Sequence, residues 1–287
     1  MSIRSGIRSG IRQPIRTGIG AIAGGGGTPL LLDTYPNAAF AFSLKKLRTA
    51  YTGKAIRVRR SSDSTELDIG FVSGELDVSA LLGFVGVGNG FVAKWYDQSG
   101  NGIDLVQTTA STQPKIVTSG AIESDAGYYA VTFDGTDDSI VYSGNLSALG
   151  SVNTFFTVLK NNIAIQNVYI FGTNNLSSPE IFNNNGRIRM DNGSSFFTDD
   201  IPVGTSKELW SLLFNTAGSK IYRNGTLKKT GDSGSNTFAS LSIRVGARGN
   251  STLFFNGKLF QMICFNGNKD ANIPGINTML NANYSIY

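Results

Sequence analysis

Residues 208–227, ELWSLLFNTAGSKIYRNGTL, contain the pattern that decides the fold. Two runs of apolar and aromatic residues flank a short turn, and Asn224-Gly225 follows the second run, as in a type I′ hairpin. Similar runs occupy the rest of the second half, with turn signals every 8 to 14 residues: NTFFTVLK (153–160), NVYIFG (167–172), LSIRVG (241–246) and TLFFNGKLFQMICFNG (252–267). This spacing predicts an all-β sandwich.

The first half mixes short helices with strands. Phe40, Leu44, Leu47 and Tyr51 recur at helical spacing, and this pattern predicts an amphipathic helix over 38–51. The same criteria predict strands over 55–60, 91–96 and 129–133, a helix over 78–84 that Asp77 caps, and a C-terminal helix over 273–284. A chain of 287 residues is long enough to bury the core of one large all-β domain.

A four-residue unit repeats at the N-terminus, in SIRSGIRSGIRQPIRTGIG (2–20). Gly or Pro in every unit disfavours a helix, so we expect an extended segment with isoleucines on one face and arginines on the other. Such a ribbon cannot bury its own isoleucines and is predicted to anchor on another protein; a disordered, solubilising tail is the alternative. The predicted anchoring residues are Ile3, Arg4, Ile7, Arg8, Ile11, Arg12, Ile15 and Arg16.

Four consecutive glycines at 24–27 predict a hinge after this arm. The chain is therefore predicted to consist of an arm and hinge at residues 1–32 and a sandwich at 33–287. The four arginines of the arm are its only charged residues, and the rest of the chain has 21 basic and 20 acidic residues. A nearly neutral body argues against nucleic-acid binding, and no segment has the pattern of a signal peptide or a membrane span.

Histidine is absent, and Cys264 is the only cysteine. These two facts exclude Ser-His-Asp and Cys-His catalysis, the usual zinc sites and an intrachain disulfide. Cys264 lies in an apolar run, which favours a buried strand thiol. No cofactor is predicted.

A glycoside hydrolase would need a pair of carboxylates. Glu180 and the pair Asp199-Asp200 are the best candidates in the second half, but nearby prolines place both in turns. Asp134, Asp137 and Asp138 could hold Ca²⁺, yet DGTDD is also an ordinary hairpin loop. We therefore predict no catalytic residues and assign no metal site.

The stretches LKKLRTAYTGKAIRVRRSSDSTELDIGF (44–71) and FVAKWYDQSGNGIDLVQTTASTQPKIV (91–117) resemble the N-terminal half of the α-L-arabinofuranosidase B catalytic domain. They are also similar to a block in many bacteriophage and prophage proteins. The resemblance covers about residues 38–118 and is most specific in YDQSGNG. It implies a concanavalin A-like, jelly-roll β-sandwich, and the end of the chain is similar to laminin-G-like domains. Family enzymes carry disulfides, and the segment with their catalytic carboxylates has no match here, so the resemblance implies the fold and not the activity.

Within YDQSGNG, two interpretations are open. Tyr96, Asp97 and Gln98 could contact a glycan. Alternatively, Asp97, Gln98, Ser99 and Asn101 could tie the loop to its own backbone.

Taken together, the arm and the resemblance predict a non-enzymatic structural virion protein of a tailed bacteriophage, such as a head decoration, head-fibre or tail-associated protein. It would be made in the host cytoplasm and dock through its arm on capsid or tail proteins. The sandwich would face outward as a homo-oligomer that binds host cell-surface glycans. A carbohydrate-binding module is the second hypothesis, and an arabinofuranosidase-like glycoside hydrolase is the third.

Overall fold

A computed structural model describes residues 29–144, 146, 149–174, 179–193, 196–238 and 242–287, without the side chains of residues 196–201. Its strands, numbered in chain order, are β1 (Ala38–Ser43), β2 (Ile56–Arg60), β3 (Glu66–Ile69), β4 (Phe71–Val72), β5 (Glu75–Leu76), β6 (Gly90–Trp95), β7 (Leu105–Val106), β8 (Lys115–Thr118), β9 (Ala121–Ile122), β10 (Ser124–Asp125), β11 (Tyr128–Tyr129), β12 (Val131–Asp134), β13 (Ile140–Tyr142), β14 (Asn153–Asn161), β15 (Asn167–Thr173), β16 (Glu180–Asn184), β17 (Arg187–Asp191), β18 (Phe196–Pro202), β19 (Lys207–Phe214), β20 (Ser219–Arg223), β21 (Thr226–Gly231), β22 (Ile243–Val245) and β23 (Asn256–Asn266). The helices are α1 (Leu31–Thr34), α2 (Val78–Val85) and α3 (Ile273–Tyr284), with 3-10 turns at Ala110–Thr112 and Asp270–Asn272.

Two antiparallel sheets form the body. The first sheet has the spatial order β3-β2-β6-β7-β13-β22-β15-β16-β17-β18. In the second sheet, β1 and β12 lie end to end along one side of β23, and β14, β19, β20 and β21 follow on its other side. Strand β8 pairs with both β6 and β12 and so joins the two sheets.

The main core lies between the sheets. Phe155 of the second sheet packs edge-to-face on Phe171 of the first, with ring centroids 5.0 Å apart. Phe40, Phe214 and Phe238 also lie within 6.3 Å of the Phe155 ring. Burial of this aromatic cluster holds the two layers face to face.

A second apolar cluster covers the other face of the second sheet. Helix α3 contributes Ile273, Ile276, Leu280 and Tyr284, which pack with β-strand residues such as Phe260. Because α1 and α3 cover the outer face of the second sheet, the outer face of the first sheet lies on the opposite side of the sandwich from these two helices. None of the helices in the described ranges is long and apolar enough to cross a membrane.

Most predicted elements are confirmed. The β-sandwich, the helix at 78–84 and the C-terminal helix are present, and the side chain of Asp77 accepts a hydrogen bond from Ala80 N at 2.9 Å as the predicted cap. Asn224 and Gly225 have φ values of 49° and 76°, as a type I′ turn requires. Cys264 is buried in β23.

The helix predicted over 38–51 is wrong, because Ala38–Ser43 forms strand β1. All six residues of β1 are buried: Phe40 and Phe42 face the inter-sheet core, and Ala41 faces the α3 cluster. A strand that is buried on both faces does not show the alternation by which a sequence reveals it.

Candidate active site

The β16–β17 hairpin places two carboxylates opposite each other. Asn185 and Gly186 form its turn with φ values of 51° and 83°, which the type I′ geometry needs. From this turn the register pairs Glu180 with Asp191. Directly opposite residues of an antiparallel pair have β-carbons about 4.5–5.5 Å apart, so the two carboxyl groups are close neighbours.

Both carboxylates lie on the outer face of the first sheet. Their sequence neighbours Ile181 and Met190 belong to the inter-sheet core, and successive side chains of a strand point to opposite faces. Glu180 and Asp191 are nevertheless only 1% and 5% exposed. The pair is therefore largely shielded from water, on the face of the sandwich that lies opposite α1 and α3.

Burial dominates the protonation of Glu180. Desolvation and the nearby charge of Asp191 raise its pKa to about 8, against the opposing effects of the Arg248 charge and a hydrogen bond from the Tyr169 hydroxyl. One carboxyl oxygen, Oε1, is buried without a hydrogen-bond partner. An unpartnered buried oxygen is costly, and protonation of the carboxyl group reduces that cost.

Asp191 is less perturbed. Burial raises its pKa to about 6, opposed by a hydrogen bond from the Gly193 backbone and by the charges of Arg189 and Arg248. The Gly193 N–H lies 3.0 Å from Asp191 Oδ1. Backbone donation and the two guanidinium groups favour the ionised form, so Asp191 ionises at lower pH than Glu180.

A loop brings Arg248 to the pair. A β-carbon at Gly172 would lie 3.0 Å from Gly249 N and 3.1 Å from Ala247 O, and one at Gly249 would lie 1.6 Å from Thr173 O. This close approach requires glycine at both positions. The loop thereby places the Arg248 guanidinium 5.3 Å from the centroid of the Tyr169 ring, beside Glu180.

This arrangement supports acid–base chemistry. With a pKa of about 6 for Asp191 and about 8 for Glu180, Asp191 is mostly ionised and Glu180 mostly protonated between pH 6 and 8. Two adjacent carboxyl groups whose environments separate their pKa values can divide the roles of nucleophile and proton donor.

The YDQSGNG loop has a structural role at two of its predicted site residues. The carboxylate of Asp97 accepts hydrogen bonds from the backbone N–H groups of Ala41, Ser99 and Ile103 at 2.8, 2.8 and 3.1 Å. Gln98 is fully buried and donates to the carbonyl oxygens of two residues at the end of β1 and just after it. These contacts tie the loop to β1, as the second interpretation of the motif predicts.

Tyr96 is partly exposed, and its hydroxyl donates to Asp68 Oδ1 at 2.8 Å. Lys94 Nζ lies 4.7 Å from the centroid of its ring. The glycan contact predicted for Tyr96, Asp97 and Gln98 stays a prediction. The anchoring residues predicted between Ile3 and Arg16 lie outside the described residues.

The loop at 134–138 brings together the carboxylates of Asp134, Asp137 and Asp138, away from the Glu180–Asp191 pair. One oxygen from each of Asp134, Asp137 and Asp138 lies within 4.8 Å of the others. Asp138 Oδ2 accepts a hydrogen bond from Asp134 N at 3.0 Å, and Asp134 Oδ1 accepts one from Thr136 N at 2.8 Å. Burial and the neighbouring charge of Asp134 raise the pKa of Asp138 to about 7. These bonds account for the loop as a hairpin connection, and metal binding there stays untested.

The placement of Glu180 in a turn is wrong, because it begins strand β16. Asp199 and Asp200 likewise lie within strand β18 and not in a turn. The prediction missed Asp191 altogether. One signal could have found it: Glu180 and Asp191 are equally distant from Asn185-Gly186, and a hairpin on that turn pairs them.

The comparisons with known proteins agree with this fold. Residues 25–164, just under half of the chain, match the family model of the catalytic domain of α-L-arabinofuranosidase B. Glu180 and Asp191 lie beyond the matched segment. A search of curated proteins gave no match.

Solved structures of arabinofuranosidases have the same fold over most of the chain. A GH54 α-L-arabinofuranosidase soaked with a cyclic sulfate inhibitor has a TM-score of 0.68 at 17% identity, covering 86% of this chain and 63% of that chain. An arabinofuranosidase complexed with arabinofuranosyl-α-1,2-xylobiose has a TM-score of 0.67 at 18% identity, with the same coverages. This chain thus spans about 63% of the length of the enzymes that it matches.

These findings contradict the prediction of a non-enzymatic virion protein. The matching family model describes a catalytic domain, and the matching structures are glycoside hydrolases. The head-decoration, head-fibre and tail assignments are therefore wrong. The prediction weighed Glu180 and rejected it as a turn residue, whereas Glu180 and Asp191 form a buried pair in the β16–β17 hairpin.

Proposed function

We propose that this chain is a glycoside hydrolase domain of the arabinofuranosidase type, in which Glu180 and Asp191 form the catalytic pair. The observation that carries the proposal is their directly opposed position on a water-poor sheet face. The match to the α-L-arabinofuranosidase B family model and the shared fold support it.

Each carboxyl group has its own role. Asp191, ionised above about pH 6, attacks the anomeric carbon of the sugar. Glu180, protonated below about pH 8, donates its proton to the departing glycosidic oxygen and then, as the base, activates the water that releases the sugar. Retaining glycosidases hold their carboxyl groups ~5–5.5 Å apart and inverting ones ~6.5–9.5 Å apart. The proposed roles of nucleophile and proton donor are those of a retaining enzyme, so the sugar would be released with retained configuration.

Tyr169 and Arg248 position the two carboxyl groups and adjust their pKa values. The Tyr169 hydroxyl donates a hydrogen bond to the Glu180 carboxyl group, which fixes its orientation. The charge of Arg248 lowers the pKa of both carboxyl groups against the effect of burial. Without that charge, Asp191 would remain protonated, and inactive as a nucleophile, to higher pH.

Hydrolysis of two substrates tests the proposal. A solved enzyme variant of the same fold was soaked with 4-nitrophenyl α-L-arabinofuranoside, and another enzyme was complexed with arabinofuranosyl-α-1,2-xylobiose. We expect the wild-type chain to cleave both compounds. Asp191→Asn should abolish cleavage of both, because it removes the nucleophile. Glu180→Gln should lower kcat/KM on the xylobiose derivative by about 10²–10⁴-fold, and less on the nitrophenyl compound, whose leaving group needs little protonation.

A matched control separates chemistry from folding. Asp138 is also a buried carboxyl group with a raised pKa, but it lies in the 134–138 loop outside the pair. Asp138→Asn should keep wild-type rates on both substrates. A folded wild-type chain that cleaves neither compound would overturn the proposal, and saccharide binding without cleavage would favour a carbohydrate-binding module.

A further inference from the structure

A cavity of about 750 Å³ opens on the outer face of the first sheet. Its floor follows one row of paired residues across four strands: Lys94 with Val106, Val106 with Val141, and Val141 with Arg244. Arg244 in turn pairs with Gly172. A volume of this size is typical of a site for a small organic ligand.

The cavity lies close to Glu180. On one side, Gly172 pairs with Arg244 of β22. On the other side, Phe171 pairs with Ile181 of β16, so the next residue, Gly172, lies opposite the position of Glu180. Two strand spacings separate Arg244 from Glu180, or about 10 Å. The loop that carries Arg248 crosses above Gly172, between the positions of Arg244 and Glu180.

Arg244 is a cation without an anion. Its Nη1 donates to Ser139 Oγ at 2.7 Å, and its Nε is buried without a hydrogen-bond partner. Among the described residues, no carboxylate lies within 4.0 Å of its guanidinium group. The other cation of the cavity, Lys94, forms a salt bridge with Asp104 at 2.9 Å. A half-buried guanidinium group is normally paired with an anion, because burial of an unpaired charge is costly.

The remaining lining fits a sugar. Thr109, Ser139 and Ser143 contribute hydroxyl groups to the lining, which also includes Phe254 and the carboxylate of Asp137. At the floor, Val106 is 37% exposed, which leaves apolar surface for the C–H face of a ring. Hydroxyl donors around an apolar floor suit a carbohydrate, and an unpaired guanidinium group suits a carboxylate, which it can bind through two parallel hydrogen bonds.

We propose that this cavity is a second saccharide site that binds a uronic acid, with the sugar carboxylate on Arg244. That the ligand is a saccharide rests on the proposed hydrolase function; that it is an anion rests on Arg244 alone. A domain with this site selects arabinosyl branches that lie near acidic sugars of a polysaccharide.

Binding of digalacturonate, measured by isothermal titration calorimetry, tests this site. Arg244→Gln should weaken binding by about 10- to 100-fold, the loss expected for a charge-assisted pair. Arg57→Gln is the matched control, because Arg57 lies in the same row of the same face but is paired with Asp68, and it should bind as the wild type does. Val106→Asp changes an exposed floor residue and places a negative charge beside the ligand, so it should weaken binding without affecting the fold.

Three further measurements separate the alternatives. Glu180→Gln should bind digalacturonate normally, so that failure of the hydrolase proposal does not remove this one. The methyl ester of digalacturonate should bind at least tenfold more weakly than the acid, and inorganic phosphate should not displace the acid at equal concentration. Equal binding of the ester, displacement by phosphate, or unchanged binding by Arg244→Gln would each overturn the assignment.

Discussion

Glu180 and Asp191 occupy directly opposite positions of one hairpin, and burial raises the pKa of both carboxyl groups. A fold gains nothing in stability from such a pair at neutral pH, because an ionised carboxylate without solvent is destabilising. Perturbed carboxyl groups that oppose each other on a sheet face are typical of catalytic sites, where the cost in stability is compensated by function.

Replacement of Glu180 should therefore stabilise the protein at high pH. Its pKa is raised from 4.5 to about 8, so the unfolded chain releases this proton first, and stability decreases as pH rises through that interval. Glu180→Gln removes this loss. We expect the variant to exceed the wild type in unfolding free energy by on the order of a few kcal/mol at pH 8.5, and to show little or no gain at pH 4.5.

Thermal unfolding of both proteins at pH 4.5, 6.5 and 8.5 measures this difference. Asp63→Asn is the control, because the hydrogen bond from Arg60 lowers the pKa of that exposed carboxyl group. Its stabilising interaction is complete above the ordinary pKa of aspartate, so the effect of Asp63→Asn should not change with pH in this range. A gain for Glu180→Gln that is the same at all three pH values would contradict a raised pKa.

Gly172→Ala should damage the site through the backbone. The new β-carbon would lie 3.0 Å from Gly249 N and 3.1 Å from Ala247 O, so the loop that carries Arg248 must move. We expect a loss of about 1–3 kcal/mol in stability, as for an overpacked position, and a clear decrease in kcat. Urea denaturation and the hydrolysis assay measure the two effects.

Gly83→Ala provides the comparison. Gly83 lies in helix α2, and a β-carbon there meets nothing within 4 Å. Alanine is about 0.5–1 kcal/mol more favourable than glycine in a helix, so this variant should be slightly more stable and fully active. If both glycine variants behaved alike, the close approach of the loop would not be important.

Asp97→Ala should strongly destabilise the fold. Its carboxylate accepts three backbone hydrogen bonds: the one from Ala41 N joins the YDQSGNG loop to β1, and those from Ser99 N and Ile103 N hold the loop in shape. Their loss leaves these N–H groups, two of them buried, unpaired. We expect a decrease of about 3 kcal/mol or more in the unfolding free energy, measured in urea. Tyr96→Phe, which removes a single partly exposed hydroxyl contact with Asp68, should cost less than about 1 kcal/mol. Equal effects of the two substitutions would contradict the structural role of Asp97.

The sequence predicted the sandwich better than the site. Period-two runs and Asn-Gly turns reveal strands with one polar face, and the turn at Asn224-Gly225 followed this rule. Strand β1 was missed because it is apolar on both faces. Glu180 was named as a candidate but placed in a turn, because Pro179 before it and the asparagines after it resemble a turn, and no local pattern shows that a carboxylate is buried. Its partner Asp191 can be predicted only from the pairing register of the hairpin that turns at Asn185-Gly186.

The pH dependence of kcat/KM for arabinofuranosyl-α-1,2-xylobiose, whose leaving group needs a proton, tests the catalytic pair most directly. We predict a bell-shaped profile that rises near pH 6 as Asp191 ionises and falls near pH 8 as Glu180 loses its proton. Glu180→Gln should abolish the fall on the basic side and preserve the rise on the acidic side. A basic limb that persists in Glu180→Gln would contradict the assignment of Glu180 as the proton donor.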